Sequence, residues 1–397
     1  MSINDPLPNM FSTDSAGNEN AYLNSTFGLL GRDKIRAMAN RPRKLIRSGP
    51  PIDEAQFQPA SLDLRLGKEA FRVRASFLPG RNRTVKDCLS ALNSEPITLT
   101  ENGAVLEKGI VYIARIAESL SLLPSISGLA NPKSSTGRLD IFTRLIVDGG
   151  DKFDEVPLGY NGELWLEISP RSFSVRVREH SRLSQLRFRN RNSQQMEKHN
   201  FAVPDEELRR RHKESPLVSG ELDVREGLVL HIDLNGGQDR VIGYRAIKNS
   251  SVIDVDRASA YAAEDFWEPM RTRSGRLILD PDEFYILASQ ETLQIPADLA
   301  AEMAPIDPAI GEFRVHYAGF FDPGFGMGAQ GLPSARAVLE VRSRDVPFLL
   351  EHGQPVGRLV FERLGEAPSQ LYGAGASSNY QGQGLKLSKH FRPWGER

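Results

Sequence analysis

A chain of 397 residues is long for one hydrophobic core and comfortable for two domains. Its 40% hydrophobic and 25% charged residues are ordinary for a globular protein, and a net charge of -1 supplies no basic field for nucleic acid or an anionic membrane. No apolar run reaches the ~18 residues of a membrane span, the polar N-terminus lacks the order of a signal peptide, and the one cysteine, Cys88, precludes an intrachain disulfide; a cytoplasmic protein is the expectation.

Residues 1–28 are rich in Asn, Ser, Asp and Pro and are expected to lack fixed structure. GRDKIRAMAN, from Gly31, reads as a short helix with Asp33 near its start. Beyond it the texture is β. Phe71, Val73 and Ala75 alternate with Arg72 and Arg74, and Phe173, Val175 and Val177 alternate with Ser174, Arg176 and Arg178. Residues 191–225 are charged and poor in large apolar side chains, which reads as a linker. Asp205 is placed to start an exposed helix there, and the run Arg209–His212 reads as its solvated face rather than a phosphate contact. The expected organisation is a first domain over 29–190 and a second over 226–397.

An internal repeat supports that division. VLEKGIVYIARIAESLSLLPS, from Val105, matches ILDPDEFYILASQETLQIPAD, from Ile278, pairing Tyr112 with Tyr285, Glu118 with Glu291 and Leu120 with Leu293. LEISPRSFSVRVREHSRLSQLRF, from Leu166, aligns without gaps against LEVRSRDVPFLLEHGQPVGRLVF, from Leu339, at the same shift of 173 residues. A weaker echo sets SLDLRLG (Ser61–Gly67) against LHIDLNG (Leu230–Gly236). The period is far too long for a solenoid.

Six segments carry a family resemblance. QPASLDLRLG, from Gln58, resembles the opening strand of the dCTP deaminases and their dUTPase relatives. KSSTGR (Lys133–Arg138) resembles their phosphate-binding segment, and LGYNGELWLE (Leu158–Glu167) their hairpin ending in the general-base glutamate. In the second copy AGFFDPGF (Ala318–Phe325) resembles the segment that cradles deoxyribose and cytosine, AVLE ends at Glu340 as the glutamate strand does, and LYGAGASSNYQGQGLKLS (Leu371–Ser388) resembles the tail that closes over the triphosphate. The resemblance implies a mainly β protein of two tandem, distorted jelly-roll-like (dUTPase-like) domains with a few short helices. It implies a homo-oligomer with sites at interfaces, and Mg²⁺ carried in on the substrate's triphosphate. The expected reaction is dCTP to dUTP and ammonia, in pyrimidine deoxynucleotide synthesis, with dTTP feedback left open. Zinc is not expected: zinc deaminases use a P-C-x-x-C pair, which one cysteine cannot supply, and the seven histidines fall at no metal-ligand spacing.

The residues support the resemblance on physical grounds. Ser134 and Ser135, flanked by Lys133 and Arg138, make a compact anion site. Asp322 can accept from a sugar hydroxyl, and Gly324 admits a close backbone approach. Tyr372, Tyr380 and Gln383, in a Gly-rich tail, suit a closing segment. Glu167 and Glu340 each end an apolar strand, where burial would raise a carboxyl's pKa towards useful acid–base chemistry. The copies are unequal. The first has the serine–arginine segment but only Pro157 near the family's Asp position; the second has Ala318, Asp322 and the tail, with PIDPAIG (Pro305–Gly311) in place of KSSTGR. The expectation is one composite site with Glu340 as general base, Arg138 and Ser134 orienting water, and Lys133, Ser135, Ala318, Asp322, Val338, Tyr372, Tyr380 and Gln383 binding substrate. Glu167 is the alternative base. The rival functions are a dUTPase, a bifunctional deaminase–diphosphatase releasing dUMP, and a non-catalytic nucleotide sensor.

Overall fold

The computed structural model describes residues 27–191, 201–237, 239–304, 314–316, 319–343, 345–374 and 378–396. The expectation for residues 1–28 therefore lies almost wholly outside the described residues. Helix α1 (Arg32–Asn40) follows Gly31 with Asp33 in its first turn, and buries Ile35, Met38 and Ala39 at helical spacing. Helix α2 (Val85–Ala91) is too short to show an apolar period. Its start is set by a capping box of Thr84 and Asp87, and it buries Val85, Cys88 and Leu89.

The remainder is mainly β. The first half contributes β1 (Leu62–Leu64), β2 (Leu66–Val73), β3 (Val111–Ser121), β4 (Ile126–Pro132), β5 (Ile141–Val147), β6 (Glu155–Val156), β7 (Asn161–Pro170) and β8 (Ser184–Asn190). They form two sheets with orders β1–β8–β4–β6 and β2–β3–β7–β5. The second half contributes β9 (Leu228–His231), β10 (Val241–Ala246), β11 (Tyr285–Leu293), β12 (Leu299–Ala304), β13 (Arg314–His316), β14 (Phe320–Phe321), β15 (Ala335–Arg342) and β16 (Pro355–Arg363). Their orders, β9–β16–β12–β14 and β10–β11–β15–β13, repeat the first pair. The period-two stretches behave as read, except that β2 ends at Val73, so Ala75 lies beyond the strand.

Register sharpens the comparison. Glu167 faces Ile113 across β7 and β3, and Glu340 faces Ile286 across β15 and β11, both displaced by 173 residues. The same shift relates Leu186–Ala130 to Leu359–Met303. The Tyr112 and Tyr285 hydroxyls accept from the backbone N–H of Glu107 and Asp280, at 3.0 and 2.9 Å. The weak echo needs correcting. Leu62 and Leu228 occupy the same place beside β8 and β16, so Arg65 corresponds to His231. Arg65 pairs with buried Glu118, and His231 pairs with Glu291. Strand pairing overrode the sequence alignment because the loops before β1 and β9 differ in length.

The expected linker also needs correcting. Helix α3 (Asp205–Glu214) forms where Asp205 suggested, with only Leu208 buried, and Arg211 on its face pairs with Glu207 and Asp298. Yet Val203, Leu208, Leu217, Val218 and Val224 all belong to the second half's core. A few well-spaced apolar side chains anchor the segment despite its polar composition. The first half's core runs into second-half residues, including Phe266, Trp267, Phe284, Ile286 and Phe391. The halves are thus packed on each other, which fixes the geometry of anything built between them.

Candidate functional site

A cleft with an empty volume of ≈ 740 Å³ lies between the halves and draws its walls from both. The first half supplies a single helical turn, Ser134–Gly137, that connects β4 to β5. Lys133 and Ser134 are half-buried there, and Ser135 and Arg138 are buried. The second half supplies β15, where Val338 and Glu340 lie two residues apart and so face the same way. The segment Phe320–Phe325 forms a third wall, and Tyr372, Tyr380 and Gln383 of the tail cover the opening.

Glu340 sits between fully buried Leu339 and Val341, and is itself buried. Burial pushes its carboxyl up to about 8, against the opposing pull of Arg138. Arg138 Nε lies 3.9 Å from Glu340 Oε1, too far for a direct hydrogen bond, and has no other partner. The guanidinium is held by donation from Nη1 to the Lys386 carbonyl at 3.0 Å and by the Tyr380 ring 3.9 Å beneath it. Two residues beyond Glu340, Arg342 pairs with buried Asp140 of the first half at 2.5 Å, which seats β15 against the turn carrying Arg138.

Asp322 is also buried, and burial pushes its carboxyl up to about 7. Its Oδ1 accepts from the Ala60 N–H of the first half at 3.0 Å. The register of β6 with β4, and of β14 with β12, puts Pro157 at the position equivalent to Asp322. At Gly324 φ is +91°, and a Cβ would stand 2.8 Å from that of Leu371. Glycine is what allows the tail to dock there. The tail continues across both halves: Tyr372 N–H donates to the Pro323 carbonyl at 2.8 Å, and Ser388 Oγ to the Ser135 carbonyl at 2.8 Å.

The structure therefore brings together Lys133, Ser134, Ser135, Arg138, Asp322, Val338, Glu340, Tyr372, Tyr380 and Gln383. It does not bring in Glu167. That carboxylate accepts from Arg144 Nε and Nη2 at 3.0 and 2.6 Å and from Ser76 Oγ. Its strand face, shared with Trp165, is packed under α2 rather than facing a cleft. Ala318 and Pro305–Gly311 lie outside the described residues. One expected role changes: the Lys133 ammonium is engaged by Asp63, so it does not enter the cleft as a free cation. Asp63, which sequence reasoning missed, is buried with Oδ1 unpartnered. Its signal was present, since it is a carboxylate between Leu62 and Leu64 on a strand. Gln58 and Gln185 also line the cleft, and nothing in their local sequence marks them. Among the described residues no group of three or more His, Cys, Asp or Glu side chains is arranged to hold a metal ion. Nor, among them, is any helix long and apolar enough to cross a membrane.

Fold and cleft together define a mainly β protein with one polar site assembled from two like-folded halves. Residues 26–192 match the N-terminal domain of 2'-deoxycytidine 5'-triphosphate deaminase, and residues 204–391 match its C-terminal domain. A crystal structure of 2'-deoxycytidine 5'-triphosphate deaminase from Agrobacterium tumefaciens is similar with a TM-score of 0.80 and 51% identity, covering 87% of this chain and 100% of that one. A relative from Beutenbergia cavernae, named "dCTP deaminase, dUMP-forming", is 34% identical over 110 residues, 27% of this chain and 53% of its own. One of the same name from Methanothermobacter thermautotrophicus is 26% identical over 188 residues, 46% and 89% of the two chains. The chain spans about half the length of the first curated relatives it matches. The chain belongs to the dCTP deaminase family, a family of enzymes.

Proposed function

We propose that the chain hydrolytically deaminates dCTP, and that it consists of two tandem copies of one dUTPase-like, jelly-roll-like domain sharing a single working site. One observation carries the reading. Arg138 and Glu340 come from different halves, face each other at 3.9 Å in a buried setting, and Arg138 Nε is unpartnered. That gap suits a water oxygen or the edge of a pyrimidine ring. The repeated strand orders support the duplication.

In the reaction ionised Glu340 takes a proton from water as the water oxygen bonds to C4 of cytosine, and passes it to N3. The remaining hydroxyl proton then moves by the same carboxylate to the amine. The C4–N bond breaks, and ammonia and dUTP result. Arg138 and Ser134 orient the water and stabilise the developing oxyanion, donors of a kind typically worth ~3 kcal/mol each. Asp322 takes the sugar 3'-hydroxyl, and Val338 packs on the base. On the phosphate side Ser135, Tyr372, Tyr380 and Gln383 are joined by Lys386 and Lys389, since Lys133 is already paired with Asp63. These are hydroxyls, amides and cations, so Mg²⁺ fits as an ion held by the phosphate oxygens of the substrate itself. A cytoplasmic homo-oligomer with dTTP feedback is the accompanying expectation, checked by sedimentation and by dTTP titration.

A second reading has a specific observation in its favour: curated relatives carry the name "dCTP deaminase, dUMP-forming", and Asp322 in the cleft suits a group that positions water at phosphorus. Incubation with dCTP, with ammonia, dUTP, dUMP and pyrophosphate all measured, separates the two. Ammonia with dUTP supports the first, and ammonia with dUMP and pyrophosphate the second. Binding of dCTP without ammonia release overturns both.

A further inference from the structure

Positions that correspond between the halves carry opposite charge where the halves meet. Arg187 lies across from Leu129, and Val360 from Glu302, so at the shift of 173 residues Arg187 corresponds to Val360 and Leu129 to Glu302. Arg189 corresponds to Glu362 by the same register. These residues contact each other. Arg189 forms a bidentate pair with Glu362, with Nε 3.1 Å from Oε2. Fully buried Arg187 reaches Glu302 Oε2 at 2.8 Å and lies 3.8 Å from Glu362 Oε2. Asn131 completes the cluster, accepting from Arg187 Nη2 at 2.6 Å and donating to Glu302 Oε1 at 2.8 Å.

A half meeting a copy of itself through these positions would set Arg189 against arginine or Glu362 against glutamate. Like charges desolvated at an interface cost several kcal/mol. The unlike pair removes that cost only for a first half against a second half. The apolar core that continues between the halves supplies affinity but is non-directional. The charges supply partner choice and register. They also reach the cleft: Glu302 is the register partner of Phe320, and the Arg187 guanidinium lies 4.5 Å over the Phe320 ring. Phe320 lines the cleft two residues before Asp322.

We infer that the Arg187–Asn131–Glu302 and Arg189–Glu362 pairs form a heterotypic lock, which admits only unlike halves and positions the Phe320–Asp322 wall of the cleft. Its effect on catalysis rests on the deaminase reading; its effect on docking does not. The test is a charge-exchange cycle at the outer pair: Arg189→Glu, Glu362→Arg and the double variant, in the full chain. Each single variant is expected to raise KM for dCTP about tenfold at temperatures where it stays folded, and to speed hydrogen exchange of the Phe320–Asp322 amides. The double variant is expected to return both to within about threefold of wild type. A merely structural role would lower thermal stability and leave KM of the folded fraction unchanged, which overturns the inference. A double variant no better than the singles also overturns it. If the singles do not fold, the double decides alone: folding with near-native exchange at Phe320–Asp322 supports the lock, and failure to fold refutes it. If wild type neither binds nor turns over dCTP, the deaminase reading fails while exchange still reports on docking.

Discussion

Replacing Glu340 by glutamine should make the protein more stable and inactive at once. The side chain keeps its shape but loses a charge that the cleft does not compensate. Burial lifts the carboxyl from an ordinary 4.5 to about 8, so the native state holds a proton that the unfolded chain releases from about pH 4.5 upwards. Native stability is therefore full below that pH and declines as pH rises towards about 8. Each pH unit in that window costs ~1.4 kcal/mol. At pH 7 the window passed is roughly 2.5 units, an order-of-magnitude penalty of ~3 kcal/mol that Glu340→Gln removes. At pH 5 the gap shrinks to ~1 kcal/mol or less. Urea unfolding of both proteins at pH 5, 6, 7 and 8 reads the difference directly. Ammonia release should fall at least ~100-fold, and the acid limb of the wild-type kcat/KM profile should show an apparent pKa of about 8. A stability difference that stays flat from pH 5 to pH 8 would refute the argument, because it would mean that Glu340 does not occupy a desolvated, incompletely paired position.

Three further outcomes follow from the same geometry. Arg138→Gln removes the donor facing Glu340 and should lower kcat by ~100-fold or more, with urea unfolding confirming that the fold persists. Glu167→Ala leaves Arg144 and Ser76 without their acceptor and should cost ~2 kcal/mol of stability, while the surviving folded enzyme keeps kcat within about threefold of wild type; steady-state rates at a temperature well below unfolding test this. Gly324→Ala forces a Cβ into the tail's path at a positive φ, so KM for dCTP should rise by roughly tenfold, as for a ~1.4 kcal/mol loss, with a smaller effect on kcat.

The sequence by itself determined a great deal about this protein. Period-two alternation at Phe71–Val73 and Phe173–Val177 revealed the β class, because strand side chains alternate between faces. The 173-residue shift revealed two like halves, because the same strand positions demand the same residue types. The asymmetry of the two copies, serines and arginine in one and Asp322 with the tail in the other, already pointed to one shared site. What it left undecided depends on contacts between distant segments. Glu167 and Glu340 have equally apolar neighbours, and only packing distinguishes them: α2, Ser76 and Arg144 close over the first, while the second faces Arg138 across a gap. Asp63 enters the site through Lys133, 70 residues away, a pairing that no local pattern encodes. The charged stretch around α3 reads as a linker by composition, yet it docks on the second core through five apolar side chains. Composition and period are local properties and survive in a linear chain. Which carboxylate is left incompletely paired is a property of the assembled interface, and there the tertiary structure alone decides.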